Sequence, residues 1–163
     1  MASEWRIRPL EIHDLNDLEK IEQQQFRDPY TTTIWRQELS NTLAHTYVAV
    51  KNHRPERDEI VGYINFWTII DEAELHRLAV KEEYRRRGVA GCLLTFMFRM
   101  LRRLSIRAVH LEVRCGNMPA IKCYEKNGFI MKGRRPGYYG ESGEDAFILE
   151  AGVARRDGSD NEE

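Results

Sequence analysis

The chain reads as a mixed α/β fold, a mostly antiparallel sheet with flanking helices and one parallel crossover at its centre. Two observations predict this. Short apolar segments with a period near two alternate with longer ones whose apolar residues recur near 3.6. In addition, a strand-like segment, Glu72–Val80, runs through an arginine- and glycine-bearing turn and a helix-like stretch into another strand-like segment, Ala108–Val113. That order is the sequence form of a βαβ unit.

Each element has its own signal. Trp5–Pro9 is a short strand. Asp14–Phe26 places Leu15, Leu18, Ile21 and Phe26 on one helical face, with Asp14 near the start. Asp28-Pro29 breaks that helix, and Thr33–Leu39 forms a second, short one with Trp35 and Leu39 on one face. Tyr47–Val50 and Ile60–Ile70 read as antiparallel strands around the charged loop Lys51–Glu59. In Glu72–Val80, Leu75 and Leu78 fall out of strict alternation, which suggests a bulge. Gly91–Leu104 is helical, with Leu94, Met97, Leu101 and Leu104 as its apolar stripe. Ala108–Val113 alternates cleanly, with Val109, Leu111 and Val113 on one face and His110 and Glu112 on the other. Asn117 is a natural N-cap, Pro119 sits in the first turn, and Asn127-Gly128 ends that helix. Phe129–Lys132 and Asp145–Glu150 are the last strands, around a loop rich in Gly and Tyr. Residues 1–153 are expected to form one domain, and the aperiodic tail 154–163 is expected to be disordered.

Composition removes several classes of function. With 163 residues, 42% apolar and 31% charged, the chain can bury a core and is not disordered. No apolar stretch nears the roughly 18 residues of a membrane span. Met1–Leu10 lacks the apolar run of a secretory signal, so a cytoplasmic location is expected, with no membrane partner. The odd cysteine count (Cys92, Cys115, Cys123), without C-x-x-C, favours free thiols. The five histidines are scattered with no ligand spacing, so no metal is expected. Net charge is −1, which gives no global field for nucleic acid. Locally, seven arginines and no acid lie between Tyr84 and Leu111, a run that suits either a polyanion or a solvated helix face.

The stretch Arg85–Leu94, R-R-R-G-V-A-G-C-L-L, carries the most chemistry. Gly88, Ala90 and Gly91 bring bare backbone to a helix N-terminus, whose unpaired N–H groups and dipole favour an anion. The pattern is neither a Walker motif nor the G-x-G-x-x-G fingerprint. An ordinary tight turn with surface arginines would look the same, and the turn alone does not decide. Glu112 on the next strand is a candidate general base, and Tyr124 on the following helix a candidate acid. A crossover of this kind is expected to bring such residues to the C-terminal edge of the parallel strands, where ligands of open α/β sheets bind.

The order R-x-x-G-x-A (Arg85–Ala90), L-E-V-R (Leu111–Arg114) and N-x-x-A-x-x-x-Y-E-x-x-G-F (Asn117–Phe129) resembles the GNAT superfamily of N-acetyltransferases. Leu78-Ala79-Val80 precedes the first motif at the superfamily's distance, and Arg134–Tyr139 with Gly143–Ala146 extends the likeness, which covers about residues 4–152. Within the superfamily the chain looks most like the bacterial enzymes that acetylate the N-terminal alanine of a small-subunit ribosomal protein. The resemblance implies the GNAT fold and acetyl-CoA as co-substrate. It implies that the backbone of Leu78, Ala79 and Val80 pairs with the pantetheine amides. The pyrophosphate would rest on Arg86, Arg87, Gly88, Val89, Ala90 and Gly91, and Asn117 would touch the cofactor arm. It also implies Glu112 as proton acceptor, Tyr124 as proton donor, and Tyr30, Tyr138 and Tyr139 at the peptide. Ala90 replaces the commoner second glycine, and Pro29-Tyr30 stands where relatives often have Pro-Trp. Glu74 and His76 are second candidates for the base, as some eukaryotic members use the preceding strand.

Amine chemistry agrees with the N-terminal substrate that the resemblance implies. An α-amine with a pKa of about 7.8 is roughly one-tenth neutral at pH 7, whereas a lysine amine near 10.4 is neutral roughly once in 2,500. Cys115 and Cys123 have no matched histidine, so direct attack is expected in place of an acyl-enzyme. A protein N-terminus, a ribosomal protein's first of all, is the expected partner. A GNAT acting on lysine or a small amine, a non-catalytic acyl-CoA-binding module and a nucleic-acid binder are the alternatives. The last lacks interleaved exposed aromatics, so no nucleic-acid partner is expected. Oligomeric state is left open.

Overall fold

The computed structural model describes residues 4–52 and 58–154. Seven strands and four α-helices follow one another as β1 (Trp5–Pro9), α1 (Leu15–Gln25), α2 (Thr32–Ser40), β2 (Ala44–Asn52), β3 (Asp58–Ile69), β4 (Glu72–Val80), α3 (Val89–Arg103), β5 (Ala108–Arg114), α4 (Met118–Lys126), β6 (Ile130–Tyr139) and β7 (Glu144–Gly152). Short 3₁₀ turns at Ile12–Asp14 and Glu82–Tyr84 precede α1 and α3. The order of elements is the expected one. The strands form one sheet in the order β1-β2-β3-β4-β5-β7-β6. β4 and β5 are parallel over Glu72↔Ala108 to Glu74↔His110, and α3 makes the crossover between them. All of the expected tail after Ala154, and most of the expected charged loop, lie outside the described residues.

The chain divides into two compact units, 4–68 with 75–96, and 69–74 with 97–154, within the described residues. In the first, α1 and α2 cover β2 and β3 because Leu15, Leu18, Ile21 and Trp35 fall on buried faces against Val48, Val50, Ile60 and Tyr63. Thr31 caps α2 by accepting from the Ile34 N–H at 3.3 Å. Gly62 in β3 is needed for close approach: a Cβ there would stand 2.7 Å from the Ala79 carbonyl oxygen and 3.2 Å from Val89 Cγ1.

In the second unit, Val109, Leu111 and Val113 of β5 are buried while Glu112 is exposed, as the alternation demands. Asn117 caps α4 by accepting from the Ala120 N–H at 3.3 Å, and Gly128 ends the helix at φ +94°.

Three expectations need correction. Leu104 is 44% exposed and does not belong to the α3 stripe, because the helix ends at Arg103. Burial along β4 alternates at Ala73, Leu75 and Ala79, so Leu75 and Leu78 differ simply by facing opposite sides. The loop rich in Gly and Tyr is largely strand: β6 runs on to Tyr139, passing Pro136 and Gly137 through a register shift between Arg135 and Tyr139. β6 lies at the end of the sheet order, where a missing N–H is tolerated.

Candidate active site

The first unit carries the arginine–glycine turn. Arg86 and Gly88 both adopt positive φ, +61° and +82°. Left-handed residues in such a turn can aim successive N–H groups to one side, as in an anion-binding nest. Val89 is buried and fixes the start of α3, while Arg86, Arg87 and Gly88 stay exposed. A Cβ on Gly88 would meet nothing within 4 Å, and the same holds for Gly91, so the space over this helix start is open. The N–H groups of Val89, Ala90 and Gly91 belong to the first turn and have no carbonyl four residues back within the helix. Just before it on β4, Ala79 is buried and Leu78 and Val80 are half-buried. The Val80 carbonyl accepts from Gln25 Nε2 at 2.8 Å. These three residues lie beyond the last β4–β5 ladder pair, Glu74↔His110.

Tyr30 also belongs to this unit. Its ring meets Trp35 edge-on at 5.2 Å, and the Arg77 guanidinium lies 4.0 Å from its centroid. Burial raises its phenol above the ordinary value. His76 on β4 packs against Trp67 at 4.9 Å.

The second unit holds the polar cluster. Glu112 projects from the exposed face of β5. Its Oε2 accepts from the Tyr138 hydroxyl at 3.3 Å, and its Oε1 pairs with Arg135 Nε at 3.4 Å. The irregularity in β6 makes this arrangement. Gly137 takes positive φ, +59°, and its N–H donates to Asp145 Oδ1 at 2.7 Å, while Arg134 Nε donates to Oδ2 at 2.7 Å. Tyr139 packs edge-on to Tyr138 at 5.0 Å and lies under the Arg114 guanidinium at 3.7 Å. Glu144 fixes Arg114 at 3.3 Å and accepts from the Gly116 N–H at 3.1 Å.

Tyr124, half-buried on α4, packs edge-on to Phe129 at 5.5 Å. Its phenol is pushed well above the ordinary value, first by burial and then by Cys123 and Tyr139. Such a phenol keeps its proton at neutral pH and can give it only to a developing base. Tyr138 and Tyr139 are raised too, chiefly by burial. Glu74 Oε1 lies 3.5 Å from His110 Nε2 on the neighbouring strand.

The structure thus brings Glu112, Tyr138 and Tyr139 together, with Tyr139 contributing to the raised phenol of Tyr124, and sets Tyr30 among Arg77 and Trp35. It adds Arg135, which the sequence reading passed over. The only sequence signal for Arg135 was its place in Arg134–Tyr139; its approach to Glu112 depends on a bulge that alternation does not reveal. Among the described residues no cluster of three or more metal-ligating side chains occurs, and no helix is long and apolar enough to cross a membrane.

Comparison with known proteins bears on this geometry. A [ribosomal protein bS18]-alanine N-acetyltransferase of Haemophilus ducreyi is 33% identical over 77% of this chain and 83% of its own length. An N-alpha-acetyltransferase of Sulfurisphaera tokodaii is 29% identical over 92% of this chain and 94% of its own. The crystal structure of the ribosomal-protein-S18-alanine N-acetyltransferase from Escherichia coli superposes with a TM-score of 0.81 at 25% identity, covering 98% of this chain and 99% of that one. The family model for acetyltransferases of the GNAT type matches residues 11–129, a span that runs through both units. The chain therefore belongs to the GNAT acetyltransferase family, enzymes that draw their acetyl group from acetyl-CoA.

Proposed function

We propose that the chain, as a single acetyltransferase domain over residues 1–153, acetylates the α-amine of a protein N-terminus in the cytoplasm, an N-terminal alanine of a ribosomal protein first of all. The observation that carries this reading is the Glu112–Tyr138–Tyr139 cluster: a carboxylate held at 3.3 Å by one of two adjacent exposed or half-exposed tyrosines on an edge strand. Their rings can hold a peptide backbone while their hydroxyls bond it. Relatives named for the N-terminal alanine of bS18 support the same substrate.

Acetyl-CoA supplies a thioester carbonyl. Arg86, Arg87 and the N–H groups from Gly88 to Gly91 hold its pyrophosphate, a role the positive φ values and the open space over Gly88 suit. The backbone of Leu78, Ala79 and Val80 pairs with the pantetheine amides, and a backbone N–H of that segment meets the carbonyl oxygen as it gains charge. Asn117 touches the cofactor arm. Glu112 takes a proton from the attacking amine, directly or through one water, and Tyr124 gives one to the departing sulfur. The amide bond forms as the carbon–sulfur bond breaks, so one proton leaves the nitrogen and one reaches the thiolate. Glu74, paired with His110, and His76 are the second candidates for the base.

One assay tests the reading: acetyl-CoA turnover with an Ala-starting ribosomal peptide, the same peptide with a blocked N-terminus, and a peptide whose only amine is lysine. The free terminus should react and the blocked one should not. Faster acetylation of lysine would refute the assignment. Tyr139→Ala should raise KM for the peptide well above any change in KM for acetyl-CoA.

A further inference from the structure

A buried ionic cluster in the first unit has no part in the chemistry described above. Glu22 on α1 is 0% exposed, and its carboxylate accepts from the Tyr63 hydroxyl at 2.8 Å and from the Tyr30 N–H at 2.9 Å. Arg77 on β4 completes it, with Nε 3.3 Å from Glu22 Oε1. A buried carboxylate is costly unless paired and hydrogen-bonded, and this one has a cation and two donors.

Arg77 does more than neutralise Glu22. Its guanidinium lies 4.4 Å from the Phe26 ring centroid and 4.0 Å from that of Tyr30, and its Nη2 donates to the Asp28 carbonyl at 2.8 Å. Three points of the α1–α2 connection, residues 26–31, are therefore fixed by one side chain, and Glu22 fixes Tyr30 again through its backbone. This connection would otherwise be weakly held, since it contains an Asp-Pro step and the exposed residues Arg27 and Asp28. Arg77 also stands immediately before Leu78, Ala79 and Val80 on the same strand.

We infer that Arg77, braced by buried Glu22, is a positioning residue that clamps the α1–α2 connection to the cofactor strand and so shapes one wall of the site for the substrate's first residues. The inference rests on the reading that Tyr30 and its neighbours meet the peptide. A lysine cannot replace Arg77. It can pair with Glu22 as a point charge, but it has no planar fork to lie along both rings while reaching the Asp28 carbonyl.

The test combines kinetics with hydrogen exchange on the full-length enzyme. Arg77→Lys and Arg77→Met are compared with the wild type for KM of an Ala-starting peptide, KM of acetyl-CoA, kcat and amide protection over residues 26–31. Glu22→Gln with Arg77→Met is the control that leaves no unpaired buried charge. Both single variants should lose protection over 26–31. They should raise the peptide KM about tenfold, the equivalent of one charge-assisted hydrogen bond, with KM for acetyl-CoA within about twofold. The double variant should regain thermal stability but not the peptide KM. Unchanged protection over 26–31 in a folded variant would overturn the clamp itself. Lost protection with an unchanged peptide KM would keep the clamp, but refute its effect on substrate and the placing of the peptide at Tyr30.

Discussion

Replacing Glu112 by glutamine separates a catalytic role from a structural one, because the structure sets very different magnitudes for the two. Glutamine keeps the shape of the side chain and an oxygen that can accept from the Tyr138 hydroxyl, now at 3.3 Å from Oε2. What folding loses is the pair with Arg135, whose side chains are 55% and 31% exposed. An exposed pair of this kind contributes about 0–1 kcal/mol, or at most about 2–4 °C in the melting temperature of a domain this size. The loss of a general base instead costs a factor of about 10² to 10⁴, equivalent to about 2.7–5.5 kcal/mol in the barrier. Steady-state acetylation of an Ala-starting peptide at pH 7, with a thermal melt of the same preparation, reads both. The deficit should shrink as pH rises toward 9, because the α-amine goes from roughly one-tenth neutral to almost fully neutral and needs less help. Near-normal turnover at pH 7 would refute the assignment and move the role to Glu74, His76 or bulk water. Neutralising the amine can recover less than about tenfold, so most of the deficit should persist at pH 9, where it reports the proton that leaves the nitrogen during attack.

Further predictions concern the other parts of the site. Gly88→Ala and Gly88→Glu share the strain of a side chain at φ +82°, but only the second adds a carboxylate, so calorimetry should show acetyl-CoA bound at least about tenfold more weakly by Gly88→Glu than by Gly88→Ala. Tyr124→Phe should lower kcat with little change in either KM. Since burial raises that phenol above its ordinary 10.0, it stays protonated throughout, and the ratio of wild-type to variant kcat should be flat from pH 6 to pH 9. Gly62→Ala puts a Cβ 2.7 Å from the Ala79 carbonyl, and overpacking of this kind costs about 1–3 kcal/mol. Denaturation should show the loss, and KM for acetyl-CoA should rise because Ala79 must move; an unaltered melt and KM would refute the close packing.

Much of this architecture was legible because its signals are local. The strand Ala108–Val113 alternates from Val109 onward, and α4 carries both its cap and its terminating glycine, so these segments specify themselves. The arginine–glycine turn was visible for the same reason. β6 was read too short because Pro136 and Gly137 look like a loop; at a sheet edge, with Asp145 holding Gly137 and Arg134, they are tolerated within a strand. Leu104 fits the helical period but falls one residue past the helix. Arg135 and Arg77 were not found, since their partners Glu112 and Glu22 lie 23 and 55 positions away and no local pattern announces such a pairing. Glu22 stands among the polar residues of α1, where no local signal marks it for the interior, yet it is wholly buried.

The irregular course of β6 has a consequence for how the protein behaves in solution. An outermost strand offers a row of unpaired backbone groups to any passing extended chain, and a flat one seeds uncontrolled stacking of copies. Here Pro136 removes a donor and the irregularity between Arg135 and Tyr139 spoils the regular repeat, while the charges of Arg134 and Arg135 are taken up by Asp145 and Glu112. Together they make β6 a poor template for another copy of itself, which would meet a missing donor and a mismatched repeat. A single short segment faces neither obstacle to the same degree. An enzyme that receives the extended end of another protein at such an edge can thus remain open to a brief visitor while refusing a permanent one.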